Sequence, residues 1–299
     1  MKSLLDYICK KYNLLVQENL KLGYNSDSVC IAVNKNGDKV VVKAAKTKNA
    51  IAEIRMNSTG YDNLRKCGLD FFIPEIFAYE SSDDYAFIVM EYLGSNFLYQ
   101  AEHSENPLEF YMSLMDSLEK VYRVSLKMGA EGHEAVESFI GKTIEIYEKY
   151  VCPNLDKERQ IFPLLQRMYL SINIPSVVFC CFSNWDFTLE DVYLTNAGVK
   201  YSDPHADVLG IPIIDMACFG GLIKLYGLPC SDEGYEEFKK FATGAVAEIL
   251  RIPTGQAEKI FYLGKLFQCF MSIRFRYEKN PEQTKTIFAE AKEVIEKII

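Results

Sequence analysis

Residues 184–204 read NWDFTLEDVYLTNAGVKYSDP, and the fold turns on this stretch. Asp186 and Asp191 lie five positions apart, and Asp203 follows twelve positions later. Between the second and third acids, Val192–Leu194 and Val199–Ser202 have strand character and read as a short hairpin ending at Asp203. Phe179, Phe182, Phe187, Leu189, Val192 and Leu194 surround the acids with apolar side chains. A carboxylate in such a core-like setting is costly unless it meets a metal or a partner. Phosphoryl transfer uses a set of this kind. One carboxylate accepts a hydrogen bond from the attacking hydroxyl, and two oxygen ligands hold Mg²⁺ on the nucleotide phosphates. A loop rich in acids also reads as a solvated turn, so the rest of the chain must decide.

Upstream, Val29, Ile31 and Val33 alternate with Cys30, Ala32 and Asn34, which is strand periodicity. Asn36-Gly37 signals a hairpin turn, and Lys39–Lys43 is a β-branched second strand. Before this hairpin lies Gly23-Tyr24-Asn25-Ser26-Asp27-Ser28. Its small and polar residues, Gly23, Ser26 and Ser28 among them, can turn backbone N–H groups toward phosphates, but a plain hairpin loop has the same composition. Lys43 closes the second strand, where nucleotide kinases keep a lysine for the α and β phosphates. A solvated strand-end lysine is the alternative. A helix is expected over 3–13 and another over 48–67, the latter weakened by Thr59 and Gly60. Strands follow near 75–79 and 85–92, joined by a turn at 81–84.

After Gly94 the texture becomes helical, over 105–129, 134–151 and 156–172. A β island follows, at Val177–Phe182 and in the hairpin already described. Helices are then expected at 215–227, 232–250, 255–277 and 281–299. No internal repeat is visible. The layout is α+β, with a small β-rich N-terminal lobe and connector over 1–94 and a larger helical lobe over 95–299. A cleft between unequal lobes is a natural ligand site.

Thirty-three Lys and Arg against forty-one Asp and Glu give a net charge of −8. That argues against nucleic acid as the main partner, since a phosphate backbone needs a basic stripe. It is compatible with a cationic small substrate. Nine scattered cysteines without a CxxC pair read as reduced thiols of a cytoplasmic protein, not as a disulfide framework or a zinc site. Charges interrupt the N-terminal segment, and no window of about 18 apolar residues exists, so neither a signal peptide nor a membrane span is expected.

With these residues in place, the chain resembles the aminoglycoside phosphotransferase and choline kinase family, which has the bilobal protein-kinase-like fold. The family's His-Gly-Asp or His-Asn-Asp, four residues, Asn, strand, Ile-Asp-Pro signature is similar to Asn184-Trp185-Asp186, four residues, Asp191, then Ser202-Asp203-Pro204. Gly210-Ile211-Pro212-Ile213-Ile214-Asp215-Met216-Ala217 resembles its Gly-x-Pro-x-x-Asp-Leu-Ala segment, and Val89–Gly94 resembles its lobe connector. The resemblance spans about residues 20–225 in order.

It implies Asp186 as the catalytic acid, Asp191 and Asp203 as Mg²⁺ ligands, and Lys43 on the phosphates of ATP or GTP. Backbone groups of Glu91 and Leu93 would read the base. Asp215 reads as a helix N-cap. Two departures stand out: Asn184 replaces the usual His, and Asp191 replaces Asn. The family's helical glutamate, the partner of the lysine, falls nearer Asn57; Glu53 lies one turn earlier on the same face and is the residue expected to pair with Lys43.

Trp185 reads as packing under the loop or stacking on substrate. His205 reads as a turn residue or a phosphate contact, and His103 and His133 as solvated. The expected activity is ATP- or GTP-dependent O-phosphorylation of a small, amino-bearing acceptor, with antibiotic resistance as one setting. The alternatives are choline, a sugar or another metabolite as acceptor, and a nucleotide-binding pseudoenzyme with a regulatory role. A protein kinase does not fit, because Asp-Phe-Gly and Ala-Pro-Glu segments are absent. These motifs fix neither the acceptor nor the oligomeric state.

Overall fold

The computed structural model describes residues 2–20, 27–66, 68–125, 133–171, 190–204, 228 and 230–299. They form two compact units. The first holds the described residues up to Asn96 together with Asp191–Pro204, and the second holds the rest. The 191–204 hairpin, assigned from sequence to the helical lobe, thus has its contacts within the first unit.

The first unit is built on a five-stranded antiparallel sheet, ordered β1-β2-β3-β5-β4. Its strands are β1 (Leu15–Leu20), β2 (Ser28–Val33), β3 (Lys39–Ala45), β4 (Ile76–Ser81) and β5 (Ala86–Glu91). The β2–β3 register runs from Ser28↔Ala44 to Val33↔Lys39. Its turn is closed by the Asn34 carboxamide, whose Oδ1 accepts from the N–H groups of Asn36 (2.9 Å) and Asp38 (3.0 Å). Gly37 takes the left-handed conformation that this turn requires. β1 has no clean alternation, because most of its side chains are exposed and its pairing slips between Val16 and Glu18.

The strict period of two gives the sheet two different faces. Cys30, Ala32, Val40, Val42, Ala44, Phe87 and Val89 are buried on one face, beneath Leu4 and Ile8 of α1 (Lys2–Tyr12). Strand β3 packs α2 (Lys48–Lys66) as well, which buries Ile54, Asn57, Gly60, Tyr61 and Leu64. Gly60 does not break the helix as its propensity suggests, for a reason given below. The hairpin β6 (Val192–Thr195) and β7 (Gly198–Tyr201) completes the unit, with Tyr201 stacked on Phe72.

The second unit is helical: α3 (Phe97–Glu102), α4 (Pro107–Ser125), α5 (His133–Ile146), α6 (Cys152–Leu155), α7 (Phe162–Ser171), α8 (Asp232–Leu250), α9 (Thr254–Arg276) and α10 (Pro281–Ile298). α9 packs against α5, α8 and α10 and is buried through its middle, from Leu263 to Phe270, while Thr254, Glu258, Arg274 and Phe275 near its ends are exposed. The helix expected over 156–172 begins only at Phe162. Asp156 explains the delay. Its buried carboxylate accepts from the N–H groups of Gln160 (2.9 Å) and Ile161 (3.0 Å) and from the Tyr147 hydroxyl (2.6 Å), while Arg159 turns left-handed. Side-chain bonds of this kind compete with the helix ladder. One π-helical turn, Tyr147–Val151, links α5 to α6. α3 was not anticipated, and 177–182 and 215–227 lie outside the described residues. No described helix is long and apolar enough to cross a membrane.

Candidate active site

A cavity of about 140 Å³ opens within the first unit. β3 contributes Val41 and Lys43, and β2 contributes Val29. The chain leaving β5 contributes Met90–Gly94, and the β6–β7 hairpin contributes Asp191, Tyr193, Ser202 and Asp203. The pleat accounts for the first group. Val41 and Lys43 alternate with Val40 and Val42, so they leave the face covered by α1 and line the cavity instead. Met90, paired with Val41, lines it too.

Lys43 is nearly buried and forms an ion pair with Asp203 Oδ1. The hairpin brings both its acids to this wall, because the Ser202 N–H donates to the Asp191 carbonyl (2.8 Å) and closes the strand ends. Asp203 has φ +58°, a left-handed conformation uncommon for a non-glycine residue. Its N–H donates to the Tyr61 hydroxyl (3.2 Å), and that hydroxyl donates to Met90 Sδ (3.7 Å). Gly60 lies one residue earlier on α2, against Pro204. A Cβ at position 60 would run into the Pro204 carbonyl. Close approach of helix and loop therefore requires the glycine inside α2.

The exit from β5 is fixed through Glu91. Its N–H donates to the Glu75 carbonyl (2.8 Å). Its carboxylate accepts from the Glu75 N–H (3.0 Å) and pairs with Lys200 of β7 at 2.5 Å. Burial, with the Asp191 charge second, pushes the Tyr193 hydroxyl up to about 12. Burial, with Asp203 second, also drives the Tyr61 hydroxyl well above its ordinary range. Both stay phenols at physiological pH.

Of the residues singled out from sequence, Lys43, Glu91, Leu93, Asp191 and Asp203 line this one cavity. Ser28 opens β2 opposite Ala44, and Glu53 sits half-buried on α2; neither is among the lining residues, and the ion pair of Lys43 is with Asp203 where Glu53 was expected. Asp186, Gly23 and Ser26 lie outside the described residues, as do Asn184, Trp185, His205 and Asp215. His103 is exposed, with Nδ1 2.8 Å from the Tyr99 carbonyl, in keeping with a solvated helix end.

Tyr61, Tyr193 and Lys200 were missed by the sequence reading. The one signal for Tyr61 was its neighbour Gly60, since an isolated glycine in a helical pattern marks a packing or functional reason. Asp27 was quoted only as part of the loop. Its carboxylate accepts from the N–H groups of Lys46 (2.6 Å) and Thr47 (2.7 Å) and from the Thr47 hydroxyl (2.8 Å). Partial burial opposes ionisation, but these bonds outweigh it and hold the Asp27 carboxyl below its ordinary range.

Two carboxylates beside a cationic lysine suit Mg²⁺, a hard ion bound through one or two carboxylates plus substrate phosphates and water. The donor set therefore fits that ion. Among the described residues no cluster of three metal-ligating side chains forms.

No family model matches the chain, and no curated protein is similar to it in sequence. Solved structures are similar in fold. A macrolide 2′-phosphotransferase of Brachybacterium faecium is 12% identical, with 99% of this chain and 98% of that chain covered and a TM-score of 0.63. The chain has the kinase-like fold of the small-molecule phosphotransferases. An aminoglycoside phosphotransferase solved with streptomycin and ATP is 16% identical, with 99% and 98% covered and a TM-score of 0.56. An amicoumacin kinase solved with AMP-PNP and Ca²⁺ is 11% identical, with 98% and 93% covered and a TM-score of 0.58.

Proposed function

We propose that this protein is a nucleotide-dependent small-molecule O-phosphotransferase. One observation carries the reading. Lys43, Asp191, Asp203 and the Glu91–Gly94 segment come from separate parts of the sequence and line a single cavity. In this reading Lys43 neutralises the α and β phosphates, and Asp191 and Asp203 would be the residues that hold Mg²⁺. The Glu91 N–H is already bonded to Glu75, so its carbonyl and the backbone of Leu93 meet the base edge. Asp186 accepts the proton of the acceptor hydroxyl as its oxygen bonds to the γ-phosphorus and the bond to the nucleoside diphosphate breaks. Mg²⁺ held by Asp191 and Asp203 would supply positive charge against that developing on the phosphates.

The acceptor is a small molecule bearing a hydroxyl. An amino-bearing antibiotic agrees with the net charge of −8 and with neighbours solved with streptomycin, and choline, a sugar or another metabolite remain the alternative acceptors. The substitutions at Asn184 and Asp191 favour a second reading, a nucleotide-binding protein without turnover. A coupled assay of nucleoside diphosphate release separates them. It is run with Mg-ATP and Mg-GTP across aminoglycosides, macrolides, choline and sugars. Acceptor-dependent release supports the enzyme; nucleotide binding with no acceptor turned over supports the second reading.

A further inference from the structure

Asp203 has two local features that ought to conflict. It is a non-glycine residue with φ +58°, and it precedes Pro204, a position where the backbone normally stays extended. A sparsely populated conformation persists only where its surroundings over-determine it. Those surroundings come from one face of α2. The Asp203 N–H donates to the Tyr61 hydroxyl at 3.2 Å, and Pro204 rests on Gly60, where no Cβ fits. Tyr61 is itself fixed, being only 1% exposed, and its hydroxyl hydrogen is committed to Met90 Sδ at 3.7 Å. That leaves a lone pair facing the Asp203 amide.

We infer that Tyr61 is the positioning residue for Asp203: by accepting its amide hydrogen it holds the left-handed backbone that directs the carboxylate into the cavity, and so sets the site's affinity for Mg²⁺. The inference rests on the reading of the cavity as a Mg-nucleotide site and adds the residue that tunes it. Tyr61 touches neither metal nor nucleotide in this scheme and acts only through Asp203.

Calorimetric titration of AMP-PNP at graded Mg²⁺ tests it without turnover. Losing one neutral hydrogen bond to a backbone amide corresponds to roughly a 5- to 10-fold change in an equilibrium constant. Tyr61→Phe keeps the ring and is expected to raise the half-saturating Mg²⁺ by about that factor, with Mg²⁺-free nucleotide binding unchanged. In an Asp203→Asn background, Tyr61→Phe should add nothing further, since the two act as one unit. Met90→Leu removes the acceptor that orients the phenol and keeps the apolar fill; it should shift Mg²⁺ dependence in the same direction by a smaller factor, and it supplies the result should Tyr61→Phe fail to fold. Wild-type Mg²⁺ dependence in Tyr61→Phe overturns the inference alone, as does an equal loss of Mg²⁺-free and Mg²⁺-bound affinity, which marks a merely structural tyrosine. A wild-type protein that binds no nucleotide overturns the cavity reading itself.

Discussion

At the scale of single residues, three aspartates carry different loads, and substitution separates them. Asp203 faces the Lys43 ammonium in the cavity, whereas Asp186 is assigned to the acceptor hydroxyl. Asp203→Ala should therefore weaken Mg²⁺-dependent nucleotide binding at least 10-fold, since a charge-assisted contact contributes about 1.5–3 kcal/mol. Asp186→Asn should leave nucleotide affinity near wild type. Equal losses in the two variants, measured by calorimetry, would reverse the assignment. For turnover the order inverts. Asp186→Asn should lower kcat by about 10² with little change in nucleotide KM, because an amide accepts a hydrogen bond but takes no proton. Asp191→Asn should be far milder, as it keeps an oxygen for Mg²⁺. Steady-state kinetics on the acceptor that the release assay identifies decides both points.

At the scale of elements, the contact between α2 and the end of the β6–β7 hairpin sets the geometry. Gly60→Ala must push Pro204 away, an overpacking change costing about 1–3 kcal/mol. A lower melting temperature together with weaker Mg-nucleotide binding is expected, and a fully stable variant with normal binding would show that the contact is slack. Asp27 ties the loop ahead of β2 to the start of α2 through three bonds. Its folded pKa lies below the ordinary value, so the stability it supplies is present above pH about 4 and is lost as the pH falls through the folded pKa. Asp27→Ala should be less stable than wild type at neutral pH, with the gap closing in acid-unfolding curves as the pH falls through the lowered folded pKa. A gap that stays constant with pH would assign the loss to packing.

What the sequence made legible divides along the same line. The β2–β3 hairpin was readable because alternation and Asn36-Gly37 are local signals, and Lys43 followed from the β-branched run before it, although the strand continues to Ala45 and Lys43 lies inside it rather than at its end. α8, α9 and α10 lie within a residue or so of their expected bounds for the same reason. The continuity of α2 through Gly60 was not readable, since it depends on Pro204, a residue far away in the chain. The late start of α7 was hidden too, because a single buried carboxylate, Asp156, overrides helix periodicity across 156–161. Local pattern names the residue types of the site, whereas the support that aims them is tertiary: Tyr61 under Asp203, and Lys200 on Glu91.

At the scale of the whole molecule, the cavity lies entirely among residues of one compact unit, which includes a hairpin drawn from the middle of the chain. Ligand contacts at Lys43, Glu91, Asp191 and Asp203 would therefore join three segments, the first two 48 residues apart (91 − 43) and the next a further 100 away (191 − 91), and such contacts vanish when the unit unfolds. A ligand that binds only the native state stabilises it by about 2.7 kcal/mol at a hundredfold excess over Kd. Such a gain raises Tm by several degrees in a protein of this size, on the order of 2–4 °C for each kcal/mol. Differential scanning calorimetry with AMP-PNP and Mg²⁺ should show a rise that grows with ligand concentration, and the rise should shrink in Asp203→Ala. Hydrogen exchange adds the spatial test. Protection on nucleotide binding should appear in β3, in the Glu91–Gly94 segment and in the β6–β7 hairpin before it appears in α9 or α10, which contribute nothing to this cavity. Protection confined to the helical unit, or no thermal shift at millimolar nucleotide and Mg²⁺, would contradict the placement of the nucleotide in this cavity.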